Sequence, residues 1–421
     1  MEMEFSISDP LTVLVGVNGA GKSTVLDAVA LMLSWVVARI RRPGGSGHDF
    51  SNSMDIHNEA SHARLAIQTR ENGQEYQWAI VRSRKGRNKP DQKSDYENLN
   101  EYTRRIRLRI EDSGAKCDIP LFVYYPVNRS VLDIPLRIRT KHNFDLLEAY
   151  DGSLTSGADF RTFFEWFRNR EDLENENRKY LYAPFRPEGF EFPDRQLQAV
   201  RTALNRVLPE YSDFSVRRNP LRMAVLKSGR EFRIDQLSDG EKCLIAMVGD
   251  LARRLAIANP LAQDPLHGTG IVLIDEIDLH LHPAWQRMVP GKLVDVFPNC
   301  QFVLSTHSPQ VIGEIESRAI RILLPDEALG IKVTNPNQAF GLTSNDILDE
   351  IMLSEDGPET LTRNPEIEKQ IHRLFEIIDE EDFPGARDMI EKMKRKLGGD
   401  TPDLIRAEGL IAMLEEDWSD E

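Results

Sequence analysis

Four short apolar runs stand out in the pattern of hydrophobic and polar positions along the chain. They cover residues 11–15, 121–125, 270–274 and 302–304. Continuous apolar runs of this length are typical of strands that are buried on both faces of a parallel sheet. Apolar positions at helical spacing follow the first run, at Leu26, Val29, Leu33 and Val37. The pattern predicts an α/β protein with a mixed or parallel sheet.

Changes in this pattern divide the chain into two lobes, an insert and a tail. The lobes are residues 1–70 and 211–345, and residues 74–125 are predicted to hold further alternating strands. Residues 143–210 carry aromatic, arginine and glutamate side chains at helical spacing, which predicts a helical insert between the lobes. The insert lacks a sustained heptad pattern, which argues against a long coiled coil. We therefore expect one α/β domain over residues 1–345.

The tail, residues 346–421, combines helical spacing with a strong negative charge. It holds 9 Lys and Arg against 23 Asp and Glu, so it carries −14 of the net charge of −15. Three apolar stripes predict helices that pack together as a helical unit. The stripes are Ile367, Ile371, Leu374, Ile377 and Ile378, then Met389, Ile390, Met393 and Leu397, and last Leu404, Ile405, Leu410, Ile411 and Leu414. Such an acidic surface favours a basic protein partner, although solubility alone also explains it.

A glycine-rich segment, residues 16–24, reads Gly-Val-Asn-Gly-Ala-Gly-Lys-Ser-Thr and lies between the first predicted strand and the first helix. This is a phosphate-loop pattern in the structural context that it requires. The glycines let successive backbone N–H groups point at phosphate oxygens, and the helix offers its positive N-terminal end. We expect Lys22 to contact the β- and γ-phosphates of ATP and Ser23 to ligate Mg²⁺. The predicted nucleotide-binding residues of this loop are Asn18, Gly19, Gly21, Lys22, Ser23 and Thr24.

Two later strands end in residues that suit nucleotide hydrolysis. Asp275 and Glu276 follow the run at 270–274, and His307 follows the strand that begins at Phe302. Asp275 is placed to hold Mg²⁺, and Glu276 is the candidate general base for the attacking water. His307 is expected to contact the γ-phosphate. Each feature alone has an ordinary structural explanation, but their order after a phosphate loop indicates an ATPase.

A third block, Leu237-Ser-Asp-Gly-Glu-Lys242, precedes another helical pattern. Ser238 is a good N-cap and Gly240 permits a close backbone approach, so the helix offers a second N-terminus to an anion. The block resembles the LSGGQ signature of ATP-binding-cassette (ABC) ATPases. It departs from that signature at Asp239 and Glu241, and an acidic side chain beside a phosphate is unfavourable unless it points away.

Taken together, these motifs resemble the ABC-type, AAA-family ATPases of the SMC-like and OLD-like branch. The runs Asp275–Trp285 and Ser305–Pro309 are typical of that branch. With its short helical tail, the layout is most similar to the PtuA family, the ATPase subunits of Septu and retron-associated antiviral systems.

This resemblance implies a two-lobed ATPase head that binds ATP and Mg²⁺ as a homodimer or higher homo-oligomer. Ser238 and Gly240 would reach the γ-phosphate held by a second subunit, and Asp278 would line the seam between subunits. Asn128 follows the run at 121–125 and stands where the glutamine of the Q-loop is usual. The resemblance also implies a partner nuclease of the HNH type, controlled by this ATPase in antiphage defence.

Other functions stay open at this point. An SMC-like ATPase of DNA repair or recombination would act as a DNA clamp without a nuclease partner. A self-contained OLD-type nuclease would need a Toprim domain, but residues 346–421 show no strand that ends in an acidic pair. A transporter subunit fits the spacing of the motifs less well. His280 and His282 would suit zinc only with further ligands, and none lies nearby in sequence.

Composition sets a few limits on these functions. The hydrophobic content of 40% supports a sizeable core. No run approaches the ~20 apolar residues of a membrane span. The phosphate loop begins almost at the N-terminus, which indicates no signal peptide. Scattered cysteines, without a C-x-x-C pair, fit a reducing cytoplasm. We expect a cytoplasmic protein without a membrane partner.

Basic runs interrupt the nearly neutral lobes at residues 39–42, 82–89, 104–109 and 137–141. Such runs neutralise nucleic-acid phosphates, so DNA or RNA is a candidate partner. Solvated strands and loops have the same composition, and the sequence leaves both interpretations open.

Overall fold

We describe a computed structural model of the 421-residue chain. It describes residues 7, 10–50, 56, 60–71, 73–84, 92–127, 144–155, 160–187, 190–326, 330–352 and 364–419. The backbone divides into two compact units, Met1–Gly341 and Leu342–Glu421. Asn128 and the basic run at 137–141 lie outside the described residues.

The described part of the first unit contains both strands and helices. The strands are β1 (Leu11–Val15), β2 (His62–Glu71), β3 (Gln74–Ser83), β4 (Leu121–Tyr125), β5 (Tyr211–Arg218), β6 (Leu221–Lys227), β7 (Arg230–Arg233), β8 (Gly270–Ile274), β9 (Cys300–Ser305), β10 (Ile320–Asp326) and β11 (Gly330–Thr334). The helices are α1 (Lys22–Arg41), α2 (Glu97–Asp112), α3 (Phe160–Arg178), α4 (Arg195–Val207), α5 (Asp239–Ala258), α6 (Pro283–Val296) and α7 (Pro309–Ile312).

The central sheet, within the described residues, contains six strands in the order β11-β10-β1-β9-β8-β4. Its neighbouring strands are parallel, except that β11 runs antiparallel to β10. Leu14 of β1 and Leu273 of β8 are fully buried, as expected for interior strands of such a sheet. The predicted α/β class with a mixed, mainly parallel sheet is therefore confirmed.

Helix α1 follows the phosphate loop and packs against β4, β8 and β9. Among the described helices, it is the one that is long and apolar enough to cross a membrane by length and composition. However, 61% of its apolar window is buried inside the protein. This burial is typical of a core helix that packs on a sheet.

The prediction of further strands over residues 74–125 is wrong for part of that range, because Glu97–Asp112 forms α2. The alternating arginines of residues 105–109 imitate a strand. The buried positions follow helical spacing instead, at Leu99, Tyr102, Thr103 and Ile106. One of the basic runs, residues 104–109, therefore lies on a helix.

The helical insert is confirmed in α3 and α4, which both pack against α5. The aromatic side chains of α3 are fully buried, and they include Phe163, Phe164, Trp166 and Phe167. A separate antiparallel sheet of β5, β6 and β7 leads into α5. The signature block thus joins this small sheet to the longest helix of the lobe.

The second unit is helical over its described residues. Its helices are α8 (Ser344–Glu350), α9 (Pro365–Asp379), α10 (Phe383–Leu397) and α11 (Pro402–Ser419). Buried residues from the last three helices form one apolar cluster, Ile371, Leu374, Ile378, Ala386, Ile390, Met393, Leu404, Ala407 and Ile411. The predicted packing of three helices is confirmed, but Leu397 and Ile405 are exposed. Ile405 directly follows Leu404, and neighbouring residues on a helix point in different directions.

Candidate nucleotide-binding site

The order of the central strands brings the phosphate loop, the acidic pair and His307 to one edge of the sheet. Strand β9 lies between β1 and β8, and all three run in the same direction. Thr306 N donates to Leu14 O at 3.2 Å, and Ile277 N donates to Ser305 O at 3.0 Å. The phosphate loop, His307 and the acidic pair therefore follow the carboxyl ends of adjacent strands, where ligands bind in open α/β sheets.

The phosphate loop has the backbone that its glycines predict. Gly19 and Gly21 have φ angles of 82° and 93°, in the left-handed region that other residues avoid. A Cβ at residue 21 would also lie 2.9 Å from the Cδ1 atom of Ile331. Asn18, Gly19, Ser23 and Thr24 are exposed, so these predicted nucleotide contacts face open space.

Lys22 is buried, and its ammonium contacts the loop's own carbonyls. Its Nζ donates to Gly16 O at 2.9 Å and to Val17 O at 3.1 Å. Burial lowers the pKa of Lys22, whereas the carboxylates of Asp275, Glu276 and Asp278 act to raise it. Lys22 therefore lies within the electrostatic field of the acidic residues that follow β8.

Asp275 and Glu276 begin an acidic turn, Asp275–Asp278, that is bonded to the end of β9. Asp275 is 1% exposed and accepts a hydrogen bond from Ser305 Oγ. The same Oγ accepts a hydrogen bond from Glu276 N at 2.8 Å. Glu276 has a φ of 46°, a strained value for a residue with a side chain. Leu279 N donates to Glu276 O at 3.0 Å, which helps to hold this conformation.

His307 follows β9 and is half-buried in the same region. Its pKa is lowered, first by burial and then by the charge of Lys22, against the opposing charges of Asp278, Glu276 and Asp275. A lowered pKa favours the neutral imidazole, which has one N–H donor and one acceptor nitrogen. His307 N also donates to Asp278 Oδ1 at 3.4 Å. Asp278 is thus turned towards the end of β9 in its own subunit.

Ser238 caps the N-terminus of α5, as predicted. Its Oγ accepts from Glu241 N at 3.4 Å, and Ser238 N donates to Glu241 Oε2 at 2.6 Å, which completes a capping box. The other oxygen of Glu241 accepts from Tyr211 Oη and Lys227 Nζ. Burial raises the pKa of Glu241, but these bonds outweigh it and bring the pKa down to about 2.

The geometry of Glu241 resolves the electrostatic problem that its position raised. Glu241 is 8% exposed, and its carboxylate is paired with Lys227, which offsets the negative charge that it brings to the start of α5. Asp239 is exposed and pairs with Lys242 at 2.9 Å. Ser238 is exposed as well, which leaves the N-terminus of α5 accessible.

His280 and His282 take structural positions in the loop between β8 and α6. His282 Nδ1 accepts from Ala284 N at 3.3 Å and caps α6. The described part of the chain contains no group of three His, Cys, Asp or Glu side chains that would hold a metal ion. The zinc alternative therefore gains no support from these residues.

The chemistry of the site fits a magnesium nucleotide. The exposed hydroxyl of Ser23 and the carboxylate of Asp275 supply oxygen ligands, which Mg²⁺ prefers. Lys22 has three N–H donors, and two of them contact loop carbonyls that a phosphate can replace. Mg²⁺ would neutralise charge on phosphate oxygens in such a site.

Sequence reasoning missed the hydroxyl side chains that precede His307. Ser305 and Thr306 are fully buried and bond to the acidic turn. Their position in the run Ser305–Pro309 was a signal that could have identified them. The Tyr211–Lys227 pair had no such signal, because both residues lie on strands distant in sequence from Glu241.

A family model described as "AAA domain, putative AbiEii toxin, Type IV TA system" matches residues 11–313. Over 403 residues, the chain is 31% identical to "Retron Vc95 probable ATPase" of Vibrio cholerae serotype O1 biovar El Tor, covering 85% of this chain and 77% of that protein. Septu protein PtuA of Bacillus mycoides (strain KBAB4) is 35% identical over 95 residues, covering 23% of this chain and 13% of that protein.

Among solved structures, the SMC head domain from Thermotoga maritima aligns with a TM-score of 0.40 and 15% identity, covering 79% of this chain and 92% of that chain.

The family match runs from β1 to just beyond α7, and so includes the phosphate loop, the signature block, the acidic pair and His307. The chain therefore belongs to this AAA-domain family of ATPases and is a homologue of the retron-associated ATPases and of PtuA.

Proposed function

We propose that the chain binds ATP with Mg²⁺ and hydrolyses it to ADP and phosphate. The observation that carries this proposal is the convergence of Lys22, Asp275, Glu276 and His307 at adjacent strand ends, with Lys22 in the field of the carboxylates. Family membership supports the same activity. Phosphate release from ATP by the full chain, with Lys22→Ala as the comparison, tests it. A wild type that does not release phosphate from ATP would refute it.

The residues take separate roles in this reaction. Lys22 and the loop residues Asn18, Gly19, Gly21 and Thr24 bind the phosphates, and Ser23 and Asp275 hold Mg²⁺. Glu276 accepts the proton of the attacking water. The neutral imidazole of His307 donates a hydrogen bond to the γ-phosphate.

Two copies of the chain would complete each other's sites as a nucleotide-sandwich dimer. The exposed N-terminus of α5, at Ser238, supports this proposal, because it is available to a phosphate held by a second copy. Gly240 belongs to the same helix start. Asn128, outside the described residues, stays a predicted contact in the Q-loop position.

We further propose that the ATPase controls a partner nuclease, of the HNH type, in cytoplasmic antiphage defence. The names of the retron and Septu relatives support this setting. The described part of the second unit is helical, without the strands that a Toprim nuclease site needs, which supports the proposal that another chain supplies the cutting activity. Co-purification with the products of adjacent genes, followed by a nuclease assay with and without ATP, tests the proposal.

The second candidate is an SMC-like ATPase that clamps DNA during repair or recombination. The basic run on α2 favours it, since arginines at 104, 105, 107 and 109 share one helix. ATP-dependent retention on closed circular DNA, in the absence of any nuclease partner, would distinguish this function from nuclease control.

A further inference from the structure

Ser305 and Thr306 are consecutive hydroxyl residues where β9 ends, and both side chains are fully buried. We propose that this hydroxyl pair positions the acidic turn, Asp275–Asp278, for ATP hydrolysis. Ser305 holds Asp275, the proposed magnesium ligand, and Glu276, the proposed general base. Thr306 holds Asp278, which accepts a hydrogen bond from the backbone of His307. The inference rests on the proposed ATPase function and adds two positioning residues to it.

Ser305 is bonded to both members of the acidic pair through one oxygen atom. Its O–H donates to Asp275 Oδ1, and its lone pair accepts from Glu276 N at 2.8 Å. The bond to Asp275 occupies one carboxylate oxygen, so that the other oxygen is left for Mg²⁺. The bond to Glu276 fixes the backbone at the residue whose φ is 46°. One side chain thus sets the rotamer of the metal ligand and the backbone of the base.

Thr306, the next residue, forms a hydrogen bond with Asp278 at the other end of the acidic turn. Its Oγ1 donates to Asp278 Oδ1 at 2.5 Å and accepts from Ser308 N at 2.9 Å. Asp278 Oδ1 also accepts from His307 N at 3.4 Å. Thr306 and Asp278 therefore tie the backbone of the histidine to the far end of the acidic turn.

Packing alone does not account for two hydroxyls at this depth. A buried hydroxyl without a hydrogen bond is costly, and apolar residues of similar size would suit a buried strand end better. Both hydroxyls instead bond to a single four-residue turn, across the junction between β8 and β9. Partners that orient metal ligands in this way affect metal affinity and activity when they are removed.

The decisive variant is Ser305→Ala in the full-length protein, measured in two ways. Equilibrium binding of ATP is titrated with and without Mg²⁺, and phosphate release gives the turnover number. We expect unchanged ATP affinity without Mg²⁺, a higher Mg²⁺ concentration for half-maximal enhancement of binding, and a turnover number about 10- to 100-fold lower. Turnover and Mg²⁺ dependence equal to those of the wild type would overturn the proposal.

Thr306→Val provides a second variant with a matched control. Thr103 of α2 is also fully buried, and its hydroxyl donates to Leu99 O at 2.8 Å, remote in sequence from the site motifs. Thr103→Val is therefore the same chemical change at another position. We expect Thr306→Val to lose turnover, Thr306→Ser to restore it, and Thr103→Val to keep it. Equal losses in Thr306→Val and Thr103→Val would indicate general destabilisation and contradict a positioning role.

The two measurements separate failure of this inference from failure of the proposed function. If the wild type binds magnesium ATP but does not hydrolyse it, the ATPase proposal fails, and the Mg²⁺ dependence of binding by Ser305→Ala still decides whether Ser305 positions Asp275. If Ser305→Ala does not fold, Thr306→Val and Thr306→Ser decide the positioning role by turnover.

Discussion

Gly240 packs directly against the carbonyl oxygen of His280. A Cβ at residue 240 would lie 2.1 Å from that oxygen, far inside the closest approach of real atoms. Gly240 lies in the first turn of α5, and His280 lies in the loop that follows the acidic turn. The close backbone approach that the residue type of Gly240 predicts is therefore made by a carbonyl of the same chain, in the loop that follows the acidic turn.

Gly240→Ala is expected to displace this loop. Overpacking of this kind costs about 1–3 kcal/mol of stability, and the shift should reduce turnover more than ATP binding. Gly291→Ala in α6 is the matched control, because a Cβ there meets nothing within 4 Å. Urea unfolding and phosphate release measure both effects. Equal stability and turnover in the two variants would mean that the Gly240 contact is unimportant.

The interaction of Glu241 with Lys227 and Tyr211 predicts a pH dependence of stability. The pKa of Glu241 is about 2 in the folded protein, against an ordinary value of 4.5. A carboxylate with a lowered pKa stabilises the fold fully above 4.5, and this contribution is lost as the pH falls from 4.5 towards 2. Glu241→Gln keeps a capping-box side chain but removes the charge.

We therefore expect the stability difference between wild type and Glu241→Gln to be largest at neutral pH and to shrink on acidification. Urea unfolding of both proteins over a pH series measures this difference. If the stability difference stays constant down to about pH 2, the pKa of Glu241 in the folded protein, the charge of Glu241 does not contribute to stability.

Composite sites predict complementation between inactive chains. Lys22→Ala and Ser238→Arg should each lose activity alone, but a mixed dimer contains one site with an intact phosphate loop and an intact signature. Mixing the two proteins should therefore restore part of the phosphate release. Mixing Lys22→Ala with Glu276→Gln is the control, because these residues act in the same half of a site and no intact site results. Full activity in a monomeric Ser238→Arg protein would contradict composite sites.

The acidic second unit is predicted to dock the partner. Residues 1–341 form a compact unit that contains all the described nucleotide-site residues, so a chain truncated after Gly341 should still bind ATP. It should fail to co-purify with the nuclease, because an acidic surface steers basic proteins. If the truncated chain still co-purifies with the nuclease at the wild-type level, the second unit is not the docking site, and the helical insert becomes the next candidate.

The local motifs of this protein were predictable from sequence, whereas their mutual geometry was not. The phosphate loop, the Ser238 cap and the strand before Asp275 follow from residue type and spacing. The position of β9 between β1 and β8 depends on pairing between distant segments, which spacing does not reveal. The strand prediction around α2 failed because arginines at every second position, Arg105, Arg107 and Arg109, imitate the period of two of a strand.

The role of Glu241 shows the same limit inside the candidate site. Its position in the signature suggested a carboxylate close to a phosphate. Lys227 of β6 neutralises it and Tyr211 of β5 donates a hydrogen bond to it, and only the folded sheet brings these two residues to the start of α5. Ser305 and Thr306 likewise gain their roles from a neighbouring strand.

The central claim is that the residues at the ends of β1, β8 and β9 form a site that hydrolyses ATP. The most direct measurement compares ATP binding and phosphate release by the wild type and Glu276→Gln. Because Glu276 acts on water in the chemical step and not on bound phosphate, the variant should bind ATP like the wild type and release almost no phosphate. Normal phosphate release by Glu276→Gln would contradict the account.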